Sequence, residues 1–424
     1  MTLEQYRDKA ELGDAQDKLS SFRNRFTQSD DIYLDGNSLG KLPLKSIGLL
    51  NELINNQWGN RLIRSWNENW LELPHRIASK IATLVGAQPD EIFIGDTTSV
   101  NLFKLAYAAL KFNKDKNEIV TDALNFPTDQ YVLQGLVSNQ FPDHRIKIVQ
   151  SIDQITIDEN EFLKAINSNT ALVTLSHVQY KSAFLYDMNA INEHAHRHRA
   201  LTLWDLSHAT GAVPIKLNEW KADLAVGCTY KYLNGGPGSP AYLYIRKELQ
   251  SDLINPIWAW FGHQRPFDFD SVYRPAGTIQ KFATGTPSIL SLAPVETGAD
   301  LLLEAGIDSI REKSIQQTDF LLKMIRDILL PSGFSIASPL ASHLRGSHIS
   351  IQHPEAYRIS KAMISPAEDA ISIIPDFRPP NNLRLGVAAL YTRYMDLWFC
   401  VQRMKSIVEN EEYQRWDNIM KGVV

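Results

Sequence analysis

The sequence predicts an α/β protein in which a large, mostly parallel, doubly wound sheet of seven strands precedes a smaller α+β domain. Three observations predict this fold class. Short apolar runs alternate with helix-period segments through the middle of the chain, one Gly- and Pro-rich join interrupts that alternation, and the pattern changes after about residue 300. The length of 424 residues suits two or three domains.

Seven segments in the middle of the chain have the length and composition of buried strands. They are Glu91–Gly95, Glu118–Asp122, Arg145–Gln150, Ala171–Leu175, Leu201–Trp204, Leu224–Cys228 and Ala241–Ile245. Helix-period stretches such as Ser99–Phe112 and Ala190–Arg199 separate most of them. Repeated strand–helix–strand units form right-handed crossovers, so we expect most of these strands to be parallel.

The join before the last of these strands is different. It contains Asn234-Gly235-Gly236-Pro237-Gly238, which is too rich in Gly and Pro for a crossover helix. Parallel neighbours need a dozen or more connecting residues, so we expect Ala241–Ile245 to run antiparallel to its predecessor. The glycines suit a simple turn as well as a functional loop.

The segments after about Asp300 favour a smaller α+β domain. The predicted helices and strands there are Ile310–Leu329, His348–Gln352, Pro354–Ile364, Leu383–Ala388 and Met395–Asn410. We therefore divide the chain into an N-terminal segment that packs with the small domain (1–66), a large domain (67–305) and a small domain (306–424).

Composition excludes several classes of protein. The 43 basic residues against 48 acidic ones give a net charge of −5 without a basic block, which argues against nucleic-acid binding. No apolar run is long enough to span a membrane, and no apolar leader opens the chain, so we expect a cytoplasmic protein. The two cysteines are far apart, which excludes a disulfide scaffold or a zinc ribbon, and we expect no metal.

Ligands of doubly wound sheets bind beyond the carboxyl ends of the strands, and polar residues follow two of those ends. Asp96-Thr97-Thr98-Ser99 leads into a helix, where hydroxyls and free N–H groups could hold a phosphate. Capping of the helix by Thr98 or Ser99 is the alternative, and for this segment taken alone it is the favoured explanation. Asp205 and His208 follow Leu201–Trp204, and a carboxylate there could pair with a protonated ring nitrogen or cap the next helix.

A lysine and an aromatic residue follow two further strands. Lys231 comes directly after a buried strand among aromatic neighbours, where desolvation favours the neutral, nucleophilic amine. An exposed lysine of no catalytic importance is the alternative. Phe126 could stack on a flat ring or belong to the core. Together, these four strand ends supply the parts that a pyridoxal phosphate site requires.

Several motifs appear in one order between about residues 31 and 395. They are Asp35-Gly36-Asn37-Ser38-Leu39-Gly40, Phe126-Pro127-Thr128-Asp129, Asp205-Leu206-Ser207-His208-Ala209, Thr229-Tyr230-Lys231-Tyr232-Leu233-Asn234-Gly235-Gly236-Pro237-Gly238 and Trp260-Phe261-Gly262-His263. In these motifs the chain resembles the kynureninases, which are fold-type I pyridoxal phosphate enzymes with the aspartate aminotransferase-like fold. The resemblance implies hydrolysis of L-kynurenine to anthranilate and L-alanine, in tryptophan catabolism.

The resemblance also implies roles for individual residues. Lys231 would hold the cofactor as a Schiff base and move protons, and Asp205 would keep the pyridine nitrogen protonated with His208 nearby. Tyr230 would contact the phosphate and is a candidate acid. The other implied cofactor contacts are Phe126 and Asp129 at the ring, Thr98 and Ser99 at the phosphate, Ser176, and Trp260 and Thr286 from the neighbouring subunit of a homodimer.

Substrate contacts follow from the same resemblance. Arg384 matches the family arginine that binds the α-carboxylate, with Arg378 and Arg393 as local competitors. Trp66 and the Gly285-Thr286 pair resemble the bacterial pattern that prefers kynurenine to its 3-hydroxy form.

Two other classes of protein share some of these features. A cysteine desulfurase or class V aminotransferase shares the fold, but a desulfurase needs a mobile loop cysteine, and neither Cys228 nor Cys400 is so placed. A non-catalytic relative that only binds a ligand would usually have lost Lys231 or Asp205, and both are present.

Overall fold

The protein is described by a computed structural model that covers residues 1–366 and 371–419. Its α-helices are α1 (Leu3–Ala15), α2 (Leu44–Glu52), α3 (Leu73–Val85), α4 (Thr98–Phe112), α5 (Pro127–Asn139), α6 (Glu159–Ala165), α7 (Met188–Arg197), α8 (Ile289–Ala305), α9 (Ile307–Met324), α10 (Ala356–Ile364) and α11 (Tyr394–Glu409). Its strands are β1 (Ile32–Tyr33), β2 (Ile92–Ile94), β3 (Glu118–Asp122), β4 (Arg145–Val149), β5 (Thr170–Ser176), β6 (Leu201–Asp205), β7 (Leu224–Gly227), β8 (Tyr242–Ile245), β9 (Ser335–Ile336), β10 (His348–Gln352), β11 (Ile373–Ile374), β12 (Asp376–Arg378) and β13 (Asn382–Gly386).

The large sheet has seven strands in the order β2-β8-β7-β6-β5-β3-β4. Strand β8 is antiparallel to both of its neighbours, and the remaining pairs are parallel. The mostly parallel sheet of seven strands is therefore confirmed, as is the reversed direction of the strand that follows the Gly- and Pro-rich join.

The order of the strands reverses between β3 and β5. From β3 the chain moves outward to β4, and from β5 it moves the other way through β6 and β7. In open α/β sheets a reversal of this kind leaves a crevice at the carboxyl ends of the two strands, where ligands bind. The residues that follow β3, β5, β6 and β7 are thus the ones to examine.

Side chains of the central strands alternate between two hydrophobic cores, one on each face of the sheet. In β6 and β7, Leu203 and Val226 pack in the core formed with α4 and α5, whereas Trp204 and Ala225 pack in the core formed with α3 and α8. Burial on both faces explains why these strands are almost continuously apolar in sequence.

The C-terminal part contains a second, antiparallel sheet with the order β12-β13-β10-β9. Helices α9, α10 and α11 pack with this sheet around a third core. Its two central strands and its helices match the predicted segments, whereas the short strands β9 and β12 were not predicted.

The first 66 residues contact both parts of the molecule. Tyr6 and Ala10 of α1 belong to the third core, and the indole N–H of Trp398 in α11 donates to the Leu3 carbonyl at 2.8 Å. Leu53, by contrast, belongs to the core of α3 and α8. The division of the chain at residues 66 and 305 stays a proposal. Within the described ranges, no helix is both long enough and apolar enough to cross a bilayer.

Candidate active site

Four polar or aromatic side chains meet at the reversal of strand order. Ser176 and Asp205 are the last residues of β5 and β6 and are paired in register, and Asp205 is paired with Val226 of β7. Phe126 precedes α5 after β3, and Lys231 follows β7 by four residues. Because parallel neighbours end at the same edge of a sheet, these residues face one crevice.

Lys231 is half-buried, and its amine points into the cluster. Its Nζ lies 2.9 Å from His208 Nε2, 6.0 Å from the centre of the Phe126 ring and 5.9 Å from the centre of the Tyr230 ring. Among the described residues, no carboxylate oxygen lies within ion-pair distance of Nζ, although buried lysines usually have such a partner. The amine is therefore available for chemistry.

The loop that carries Lys231 is held by the segment Asp35–Gly40. The Gly40 N–H donates to the Tyr230 carbonyl at 2.8 Å, and the Asn234 N–H donates to the Lys231 carbonyl at 2.9 Å. A Cβ atom on Gly40 would lie 2.3 Å from the Lys231 carbonyl oxygen. A glycine at position 40 therefore lets the two backbones come into contact, which explains this part of the motif.

Two buried carboxylates lie near this amine. Burial raises the pKa of Asp205, and the positive charge of Lys231 opposes that change. Burial raises the pKa of Asp129 well above its ordinary value, and the negative charge of Asp205 adds to the effect. Asp129 Oδ2 has no hydrogen-bond partner. Two buried carboxyl groups without a permanent cation are costly to ionise, and a bound group with a cationic ring nitrogen would reduce that cost.

His208 is buried and neutral. Burial comes first among the causes that lower its pKa well below the ordinary value, followed by the charges of Lys231 and Arg384. Its Nε2 lies 2.9 Å from Lys231 Nζ, its Nδ1 has no partner, and the ring proton is on Nδ1 when the amine donates. His208 thus orients the Lys231 amine by a hydrogen bond without placing a second positive charge beside it.

Sequence reasoning missed a residue that connects two of these strand ends. Asn125 Oδ1 accepts hydrogen bonds from the Ser176 N–H at 3.1 Å and from the Ser176 hydroxyl at 2.5 Å. Next to it, the Phe126 ring contacts the edge of Tyr180 at 5.2 Å between centroids. Asn125 therefore holds Ser176 and Phe126 together, but an asparagine in a turn carries no signal that would single it out.

The start of α4 lies at the same edge of the sheet. Thr97, and neither Thr98 nor Ser99, caps the helix by accepting from the Val100 N–H at 3.3 Å. In the part of the chain described, the Thr98 and Ser99 hydroxyls form no hydrogen bond and are partly exposed. Only β8 lies between β2 and β7, so the ends of those two strands are roughly 10 Å apart.

Arg384 is buried in β13 and approaches the cluster from the small domain. Its Nε donates to Asp376, its Nη1 donates to the Tyr180 carbonyl at 2.5 Å and its Nη2 donates to the Ser38 hydroxyl at 2.9 Å. Nη2 also lies against Asp376, so of the five N–H groups of the guanidinium one, on Nη1, remains for a ligand carboxylate. Arg378 also pairs with Asp376, at 2.9 Å, whereas Arg393 pairs with Asp396 at the start of α11.

Four of the predicted site residues lie outside this cluster within one protomer. Trp66 packs edge to face on Trp70, and Trp260, Gly285 and Thr286 are exposed. For the residues that the structure describes, no hydrogen bond, ion pair or ring contact connects these four to the Lys231 cluster. Gly285 and Thr286 line a separate cavity of about 250 Å³ beside Thr97.

The residues present fit pyridoxal phosphate. Lys231 offers an unpaired amine, the orphaned oxygen of Asp129 and the neighbouring Asp205 suit a cationic ring, and the first turn of α4 offers unused hydroxyls. Phe126 lies beside the amine, at a distance that allows its ring to stack on a flat group.

Solved structures share this fold at low sequence identity. A cystine C–S lyase, solved with glycine covalently linked to its pyridoxal phosphate, has a TM-score of 0.78 at 15% identity and covers 90% of this chain and 98% of its own. The apo cysteine desulfurase of Thermococcus onnurineus NA1 has a TM-score of 0.75 at 15% identity, with 94% and 98% coverage. These similarities show the fold-type I architecture and nothing finer.

Sequence comparison goes further. The family model of the kynureninase C-terminal domain matches residues 310–404. The kynureninase of Pseudomonas fluorescens is 38% identical over 406 residues, which are 94% of this chain and 95% of that protein. Because the identity extends over nearly the full length of both proteins, this chain belongs to the kynureninase family.

Proposed function

We propose that this protein hydrolyses the Cβ–Cγ bond of L-kynurenine to give anthranilate and L-alanine, with pyridoxal phosphate as its cofactor. The observation that carries this proposal is the state of the Lys231 amine in a chain of this family. It forms no ion pair among the described residues, it is hydrogen-bonded to a neutral histidine, and two buried carboxyl groups lie near it. When bound, the cofactor supplies an electron sink for negative charge on the substrate carbons next to the amino group.

Lys231 and His208 would handle the proton at the substrate Cα. Nζ forms a hydrogen bond with His208 Nε2 and no ion pair with a carboxylate of the described residues, so His208 orients the amine and no paired carboxylate holds it in its charged form. That amine can then take the Cα proton and deliver it elsewhere on the bound molecule. Asp205 would accept a hydrogen bond from the protonated ring nitrogen and so keep that nitrogen protonated. It suits this role because it is buried at the end of β6 and forms no ion pair with a side chain of the described residues.

Tyr230 is suited to the role of a proton donor. Its ring centre lies 5.9 Å from Lys231 Nζ. The electrostatic effect that an ionised Cys228 would exert is the first cause that raises the pKa of Tyr230, and burial adds to it, so the phenol carries a proton at neutral pH and would give it only to a strongly basic atom. Cys228 is itself buried, and burial raises the pKa of its thiol. A buried, protonated thiol is a poor nucleophile, which disfavours desulfurase chemistry here.

Arg384 would orient the substrate. Its buried guanidinium keeps one Nη1 N–H unused beside Tyr180, and a carboxylate that displaced the Ser38 hydroxyl from Nη2 could accept from both nitrogens. Fixing the α-carboxylate at this point, on the small-domain side of the crevice, would bring the substrate Cα toward the Lys231 amine.

A homodimer would complete the site. Trp260 and Thr286 are exposed and lie outside the Lys231 cluster of their own protomer, so we propose that they reach the phosphate bound by the partner. We propose further that Trp66 and Gly285-Thr286 favour kynurenine over 3-hydroxykynurenine, and that the enzyme works in the cytoplasm.

Incubation of the purified protein with L-kynurenine tests the activity directly. We expect fluorescent anthranilate and equimolar alanine, with a kcat/KM for kynurenine above that for 3-hydroxykynurenine. Lys231→Ala should lose the visible absorbance of the bound cofactor and at least about a thousand-fold in kcat, because the amine is both the attachment point and the base. Turnover like that of the wild type in Lys231→Ala would refute the assignment.

A further inference from the structure

A buried lysine connects two segments that are far apart in sequence. Lys104 of α4 is completely buried, and its Nζ donates to Asp96 Oδ2 and to the Phe282 carbonyl, both at 2.8 Å. Asp96 Oδ1 accepts from the Thr284 hydroxyl at 2.8 Å. The Lys104–Asp96–Thr284 network thereby ties the residue before the cap of α4 to a segment 188 residues later in the chain.

Each end of this network is next to residues expected to bind phosphate. Asp96 directly precedes Thr97, which caps α4 ahead of Thr98 and Ser99. Thr284 directly precedes Gly285 and Thr286. Asp96, Thr97 and residues 284–286 line the same cavity of about 250 Å³, so the two segments face each other across a narrow space.

Asp96 has a backbone conformation that favours glycine, although its side chain forms two bonds of the network. Its φ is 55°, in the left-handed region that favours glycine, and its carbonyl accepts from the Ala241 N–H of the neighbouring chain segment at 2.9 Å. Glycine would adopt this conformation more readily, but it would supply no oxygen for Lys104 or Thr284. The position therefore combines an unfavourable backbone conformation with two side-chain bonds that stabilise it.

We propose that the Lys104–Asp96–Thr284 network is a positioning device for the cofactor phosphate. It sets the start of α4, which holds the phosphate in one protomer, against the segment that the same protomer lends to its partner. The inference rests on the proposed function, because it assumes a pyridoxal phosphate site at α4. It assigns Thr284 and Lys104 no contact with the cofactor; they act through Thr98, Ser99 and Thr286.

The test compares two ligands that differ in the phosphate. The full-length chain, freed of cofactor, is titrated with pyridoxal 5′-phosphate and with pyridoxal, and each Kd is read from the absorbance of the complex. Thr284→Val removes the hydroxyl and keeps the shape. We expect it to weaken pyridoxal 5′-phosphate about ten-fold, the effect of losing one bond to a charged group, and to leave pyridoxal unchanged.

Two further variants serve as controls. Thr284→Ser restores the hydroxyl and should return the Kd to the wild-type value. Thr278→Val removes a nearby hydroxyl that is outside the network and accepts from the Gln280 N–H at 3.4 Å. This variant should bind both ligands like the wild type. A Thr284→Val protein with wild-type affinity for pyridoxal 5′-phosphate, or with equal losses for both ligands, would overturn the inference. A wild-type protein that binds neither ligand would refute the proposed function itself.

Discussion

Asp122 and Asp129 are both buried near the crevice, yet they differ in their partners. Asp122 Oδ2 accepts from the Tyr186 hydroxyl at 2.7 Å and from the Gln179 amide at 2.9 Å. Asp129 Oδ2 accepts from nothing. Burial raises the pKa of Asp122 to about 6 and that of Asp129 well above its ordinary value. One carboxylate thus serves the fold, and the other is poised for a cationic ligand.

This difference predicts opposite effects of two matched substitutions. A carboxyl group whose pKa is higher in the folded than in the unfolded state reduces stability as the pH rises through that interval. Asp129→Asn should therefore stabilise the cofactor-free protein at pH 7, where the wild-type carboxyl group is under pressure to ionise, and should weaken pyridoxal phosphate binding about ten-fold. Asp122→Asn also removes a buried charge at pH 7, but it puts an amino group where the Tyr186 hydroxyl and the Gln179 amide need an acceptor, and we expect this second effect to prevail and the variant to be less stable than the wild type. Urea unfolding of both variants checks this, and a loss of stability in Asp129→Asn would contradict it.

Arg384 can be tested by a change that keeps its charge. Removing the charge altogether would leave Asp376 buried beside Arg378 alone, which could unfold the small domain. Arg384→Lys keeps a cation but loses the fork of N–H groups, so we expect the KM for kynurenine to rise about 10- to 100-fold with a smaller change in kcat. Arg378→Lys is the matched control. A larger rise in KM for Arg378→Lys would transfer the carboxylate contact to Arg378.

At the scale of helices and strands, burial decides what the sequence can predict. Strands β3, β5, β6, β7 and β8 are buried along their whole length, whereas the edge strand β4 is exposed at Arg145 and Lys147. The short apolar runs still predicted each of the seven strands to within one residue of its ends. Strands β9 and β12 have two and three residues and exist because β10 and β13 pair with them, a contact that local sequence does not record. In the site, Lys231 and Asp205 stand out as charged residues after apolar strands, whereas Asn125 does not.

The contact between Gly40 and the Lys231 loop makes a prediction at the same scale. Gly40→Ala would place a Cβ 2.3 Å from the Lys231 carbonyl oxygen, so the segment or the loop must move. We expect a cost of about 1–3 kcal/mol in unfolding free energy and a weaker cofactor absorbance, because the displaced loop carries the amine. Gly48→Ala, in the exposed part of α2 with no atom within 4 Å of the new Cβ, should be neutral or stabilising. Normal absorbance in Gly40→Ala would contradict the role given to this contact.

On the scale of the whole molecule, a single protomer exposes large apolar side chains in two segments. One segment includes Trp258, Phe267 and Phe269, with Phe269 exposed at 77%, and the other includes Trp58 and Ile63, with Ile63 exposed at 75%. Clusters of this kind mark interaction surfaces. Trp260 stacks on Phe269 in the first segment, so a partner that covers this surface would meet a residue expected to contact its phosphate.

A shared site predicts that two inactive proteins can restore each other. Lys231→Ala keeps Trp260 and Thr286, and a chain carrying Trp260→Ala with Thr286→Ala keeps Lys231. In their heterodimer one of the two sites draws every residue from an intact source, so random pairing should recover about a quarter of the wild-type activity. Lys231→Ala paired with Asp205→Asn should recover none, since both residues belong to the same protomer's half of the site and each heterodimer site lacks one of them. Co-expression with two affinity tags isolates the heterodimers, which should then have about half of the wild-type activity, against about a quarter for the unfractionated random mixture. If the heterodimer of Lys231→Ala with the doubly substituted chain is no more active than either homodimer, each site lies within a single chain. The exposure of Trp260 would then have no explanation in catalysis.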